Sequence, residues 1–213
     1  MGGTGGPGAE RPQGGDVLPD SSAHAELVDA MYVLVRDTHA APTVGALVAR
    51  SGLPSEVVAR AFTEIDALYR GVSARLLREV LGLVTFGPPT GRLEADLSAL
   101  VRRRMRIFEH IAPFQRAARR ALPGSVFLRE QEAFNVNALR AALVVMVSPY
   151  LAPEAHDALD ALDVLLSFEA WERLRGAQQV PDERIERLLV NAAAAIVRAE
   201  QPDRPSKPAP PSR

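Results

Sequence analysis

An all-helical protein of about nine helices is what this sequence predicts, on three observations. Ala, Leu and Val abound while aromatics are only 5%, a balance that favours helix formers over sheet formers. Apolar residues recur at three- and four-residue spacing through most of the chain. No segment alternates with period two for long enough to read as a strand.

The pattern divides the 213 residues into four parts. Residues 1–22 are rich in Gly, Pro and polar groups and read as a disordered arm. Leu27, Met31, Leu34 and Val35 mark a first helix over roughly 23–39. Pro42-Thr43 opens a short second helix with Thr43 as its N-cap, carrying Val44, Leu47 and Val48 until Ser51-Gly52 breaks it. A third short helix starts at Pro54, a suitable first-turn proline, and buries Val57, Val58, Ala61 and Phe62.

Thr63-Glu64-Ile65-Asp66 has the form of a capping box with Asp in place of Glu, so a fourth helix is expected there, running until Gly87-Pro88-Pro89. Later helices are expected over roughly 91–109, 111–121, 124–148, 153–175 and 181–199. Residues 23–69 then form a helix-turn-helix unit and 70–200 a larger helical unit. The Pro-rich stretch 201–213 forms a disordered tail.

Composition narrows the chemistry. With no cysteine, disulfides, zinc-thiolate sites and cysteine nucleophiles are excluded. No apolar run approaches a bilayer span, and the Gly-rich start lacks the basic and apolar regions of a signal peptide, so a cytoplasmic protein without a membrane partner is expected. His24, His39, His110 and His156 are scattered, and none lies three residues after a Glu as a di-iron bundle requires. No phosphate-binding loop or activated serine stands out. The sequence therefore points away from an enzyme, with no cofactor and no metal site expected.

The informative unit is residues 43–62, a short helix, a glycine turn and a second short helix. Gly52 suits the left-handed conformation that would throw the second helix steeply across the first and into a major groove. The run from Pro42 through Gly52-Leu53-Pro54-Ser55 to Phe62 and Ala67-Leu68 resembles the DNA-binding domain of TetR-family regulators. Ile111-Ala112-Pro113-Phe114-Gln115-Arg116-Ala117-Ala118 and the segment Leu165 to Arg175 resemble actinobacterial members of that family.

The resemblance implies a homodimer on double-stranded operator DNA, released by a small apolar or amphipathic ligand, so that the chain acts as a repressor. It implies DNA contacts at Thr43, Arg50, Ser55, Glu56, Ala59 and Arg60. It implies a ligand site in the C-terminal unit, for which the candidates are Phe86, Met105, Phe108, His110, Phe114, Phe134, Asn137 and Met146. Asn135 and Asn137 need polar partners if buried. The last two helices, apolar on more than one face, would pair with their mates through Leu162, Leu166, Trp171, Leu188, Leu189, Ala192 and Ile196.

Two features of charge bear on this. Where most family members carry Tyr, His and Lys for the phosphates, this chain has Ala59, Ala61 and Ile65. Over residues 23–69 three bases, Arg36, Arg50 and Arg60, face six acids, Glu26, Asp29, Asp37, Glu56, Glu64 and Asp66, for a net charge of −3. An acidic reading head weakens DNA affinity, which depends on cations neutralising phosphates. The alternative is a protein of the same build acting as a ligand-binding or protein-interaction module. Seven arginines between Arg102 and Arg120 face only Glu109, a run that reads as a solvated face or as a site for an anion.

Overall fold

The computed structural model describes residues 21–84 and 87–200, and among these there is no strand. The expected arm (all but its last two residues), the Pro-rich tail and Phe86 lie outside the described residues. Nine α-helical segments follow in order: α1 Ser21–Thr38, α2 Val44–Ser51, α3 Ser55–Thr63, α4 Ile65–Val84, α5 Leu93–Ala121, α6 Val126–Val147, α7 His156–Leu165, α8 Phe168–Glu172 and α9 Asp182–Ala199. No helix among the described residues is long and apolar enough to cross a membrane.

Local chemistry fixes the ends of the short helices. The hydroxyl of Thr43 accepts from the Ala46 amide at 3.2 Å and caps α2 as expected. Gly52 ends α2 at φ 72°, and its amide donates to the Val48 carbonyl. On α9, Asp182 and Glu183 lie in the first turn and Arg198 in the last, so side-chain charge opposes the helix dipole at both ends.

The capping box does not form. The Thr63 hydroxyl donates back to the Arg60 carbonyl at 2.6 Å, and Thr63 closes α3 instead of opening α4. Asp66 serves a different helix. Its carboxylate accepts from the Ser125 hydroxyl at 2.5 Å and from the Phe127 amide at 3.3 Å, while Ser125 in turn caps α6 by accepting from the Leu128 amide. The base of α4 is thereby fastened to the start of α6, with the Arg70 guanidinium 4.9 Å from the Phe127 ring centre.

Two further expectations are corrected. The helices over 91–109 and 111–121 are one helix, α5, with Pro113 in its interior. A proline there forfeits one backbone hydrogen bond, a loss that dense packing on both sides of α5 offsets. Conversely, the single helix expected over 153–175 is broken at Leu166-Ser167. The Ser167 hydroxyl accepts from the Ala170 amide and starts α8 afresh, and α8 continues as a π-helical turn over Arg173–Ala177.

The interior comprises two apolar clusters. The head cluster joins α1, α2, α3 and the first half of α4 around Leu27, Met31, Leu47, Val58 and Leu68, and takes in Phe114 and Ala117 from the end of α5. The second joins α5 to α9 around Leu100, Phe108, Leu143, Leu162, Trp171 and Ile185. Helix α5 is thus the shared beam, and it packs against α1, α4, α6, α8 and α9.

Candidate functional site

Helices α2 and α3 carry the candidate DNA-reading surface. Helix α3 turns Val58 and Ala61 inward, which leaves Ser55, Glu56, Ala59 and Arg60 exposed along the opposite side. Thr43 and Arg50 are exposed at the two ends of α2. All six residues expected at this surface are therefore solvent-accessible. Neither Arg50 nor Arg60 has an ion-pair partner among the described residues. Both cations remain available to an anion.

The charge deficit of the head is milder at this surface than its residue count suggests. Asp29 is held by Arg75 at 2.5 Å and Asp37 by Arg36 at 3.0 Å, while Asp66 keeps its charge but is turned to the neutral donors of Ser125 and Phe127. The acids left near the reading helix are Glu56 and Glu64, against Arg50 and Arg60.

The head is fastened to the rest of the chain by a polar cluster that sequence reading missed. The Tyr32 hydroxyl on α1 donates to the Glu79 carboxylate on α4. Glu79 also meets His110 Nε2 on α5 at 3.0 Å and Arg75 Nε at 3.4 Å. The Arg75 guanidinium lies 4.0 Å from the Tyr32 ring centre, and the Phe114 ring stands 4.8 Å from that of Tyr32. The Tyr32 donor foremost, with His110 and Arg75, holds the Glu79 carboxyl below the usual glutamate range. Burial and the facing carboxylate push the Tyr32 phenol up to about 12.

The residues expected to line a ligand site do not converge. Met105, Phe108 and Met146 lie together in the second cluster. Phe114 belongs to the head cluster, because the end of α5 leans on α1. His110 is exposed and engaged by Glu79. Phe134, 62% exposed, and Asn137 point to solvent from the outer side of α6, so the Asn137 amide needs no interior partner. Asn135 accepts from Gln131 at 3.0 Å.

The residues expected at a dimer interface also divide. Leu162, Leu166, Trp171 and Leu189 are buried in the chain's own core, because α7, α8 and α9 close over α5 and use those side chains to do so. Leu188 is 40% exposed, and Ala192 and Ile196 are half-buried on α9. Large apolar side chains at the surface concentrate instead on α4 and α6, at Leu77, Leu81, Val126, Phe134, Val136, Val144 and Val145.

Three of the seven arginines in the basic run on α5 form ion pairs within the chain. Arg102 pairs with Glu186 at 2.7 Å, Arg116 with Glu172 at 2.9 Å and Arg119 with Glu169 at 2.9 Å. Arg104 is different. It is 2% exposed and donates to the carbonyls of Leu166 and Leu139, each at 2.7 Å. Burial pulls its guanidinium down to about 10. A signal for this was present. Leu97, Val101, Arg104 and Phe108 fall on one helical stripe, so Arg104 occupies an interior position.

Comparison with protein-family models, curated proteins and solved structures finds no match for this chain.

Proposed function

We propose that the protein is a ligand-responsive transcriptional regulator of the TetR kind, acting in the cytoplasm as a homodimer on double-stranded operator DNA. The observation that carries this reading is the outward presentation of α3. Behind a left-handed Gly52, the helix exposes Ser55, Glu56, Ala59 and the unpaired Arg60 while Val58 and Ala61 anchor it. The N-terminus of α2, with the exposed Thr43 hydroxyl, supplies a phosphate contact. The copies pair through the outer side of α9, where Leu188, Ala192 and Ile196 remain accessible.

Repression works by occlusion. Ligand entering the C-terminal unit displaces α4, changes the spacing of the two reading heads and lowers operator affinity by a population shift. Two ties support α4 as the transmitter: Asp66 grips the start of α6, and Glu79 joins α1 to α5. A second reading, a ligand-binding or interaction module without operator affinity, is favoured by the exposed Glu56 beside Ser55 at the start of α3.

A mobility-shift assay on the DNA upstream of the protein's own gene, across a salt series, separates the two. The regulator binds with an affinity that falls steeply with salt, and Arg60→Ala flattens the slope by about one contact. Thr43→Ala weakens binding with the fold retained. Absence of binding to every promoter fragment supports the module.

A further inference from the structure

We propose that the second cluster holds the anionic head of a single-chain amphipathic acid, with the Arg104 guanidinium as its anchor. The inference rests on reading the C-terminal unit as a sensing domain. Arg104 is buried, yet its two hydrogen bonds go to neutral backbone carbonyls, and its Nε has no acceptor among the described residues. Asp163, the one carboxylate whose charge bears on it, is already engaged by Arg140 at 3.3 Å. A desolvated cation whose direct acceptors are all neutral is costly, and a carboxylate matches its planar fork with two oxygens.

A second unused donor lies in the same cluster. Trp171 is 1% exposed and its Nε1 has no acceptor among the described residues. Phe108, one turn beyond Arg104 on α5, meets Trp171 at 5.8 Å and Phe168 at 5.6 Å, and Leu166, whose carbonyl Arg104 holds, belongs to the same cluster. The surrounding side chains are apolar, which suits a hydrocarbon tail. Met105 and Met146 are unbranched and can repack to admit it.

The test is calorimetric titration of the full chain with decanoate and with 1-decanol. Wild type prefers the acid at least tenfold. Arg104→Met, which replaces a buried charge with an apolar side chain of similar length, removes that preference while its circular-dichroism melt shows it folded. Arg104→Lys keeps the charge but loses the fork, and weakens decanoate severalfold. Equal affinity for acid and alcohol, binding of neither, or an unchanged preference in Arg104→Met overturns the proposal. So does undiminished decanoate affinity in Arg104→Lys. Operator binding is read separately, so a chain that takes decanoate through Arg104 and no DNA keeps this site and loses the regulator reading.

Discussion

The Tyr32 hydroxyl of α1 donates to the Glu79 carboxylate of α4, which gives the head a polar joint beside its apolar packing. Tyr32→Phe removes the donor and should lower stability by about 1–2 kcal/mol in urea unfolding. The pH dependence follows from both partners. Glu79 has a lowered folded value, so its contribution is present above the ordinary glutamate value of about 4.3 and fades as pH falls through the lowered one. Tyr32 is raised to about 12, so its contribution holds below the ordinary value of 10.0 and is lost as pH climbs toward 12. The melting-temperature gap between wild type and Tyr32→Phe should therefore be widest near neutrality and narrow at both extremes. A gap that is flat with pH contradicts this.

Gly71 on α4 faces Val28 on α1 with no room for a side chain. A Cβ built there would stand 2.4 Å from Val28 Cγ2, a distance real side chains do not adopt. Gly71→Ala should destabilise by about 1–3 kcal/mol through overpacking. Val28→Ala in the same chain makes room and should recover part of that loss. Strict additivity of the two in a double-mutant cycle counts against the contact.

Gly52 is a contrasting case, because a Cβ there meets nothing within 4 Å. Gly52→Ala therefore pays only for the left-handed backbone at φ 72°, about 1–2 kcal/mol in unfolding experiments. Gly52→Asn should lose less, since Asn tolerates that region. Equal losses in Ala and Asn would mean that the turn has relaxed out of it.

Asp96 pins the segment ahead of α5. It is 3% exposed and accepts from the Thr90 amide, the Thr90 hydroxyl at 2.7 Å and the Tyr150 hydroxyl. Burial alone would raise this carboxyl, but the Tyr150 and Thr90 donors outweigh it and hold it below the usual range. Its stabilising effect is thus present above the ordinary aspartate value and disappears as pH falls through the lowered one. Asp96→Asn should destabilise at pH 7 by about 1–3 kcal/mol, with a penalty that shrinks in acid. A penalty that grows in acid overturns the assignment.

What could be read from the sequence was what neighbours along the chain determine. Thr43, Gly52 and the inward Val58 and Ala61 of α3 needed only a few residues of context and behave as expected, while Val57 and Phe62, expected to be buried with them, are only half-buried. Asp66 looked like a cap for its own helix but caps one that begins some sixty residues later, which no local pattern reports. Ser167 breaks a helix whose apolar spacing runs straight through it. The broad apolar coverage of α7 and α9 suggested a partner, but half of it goes to closing over α5, a choice that depends on how the helices stack. The expected ligand residues scattered for the same reason: their type matched a pocket, but their helix faces did not. The convergence of Tyr32, Glu79, Arg75 and His110 joins three helices and had no sequence signature.

Pro113 sits where α5 passes from one apolar cluster to the other: Ala112 belongs to the second, Phe114 to the head. A proline has no amide hydrogen, so the Glu109 carbonyl loses its helical donor at that border. The weakest rung of the longest helix therefore coincides with the seam between two packed bodies. What holds the two sides in register there is side-chain bonding that crosses the border, from Glu79 to His110 on one side of the proline and from Arg116 to Glu172 on the other.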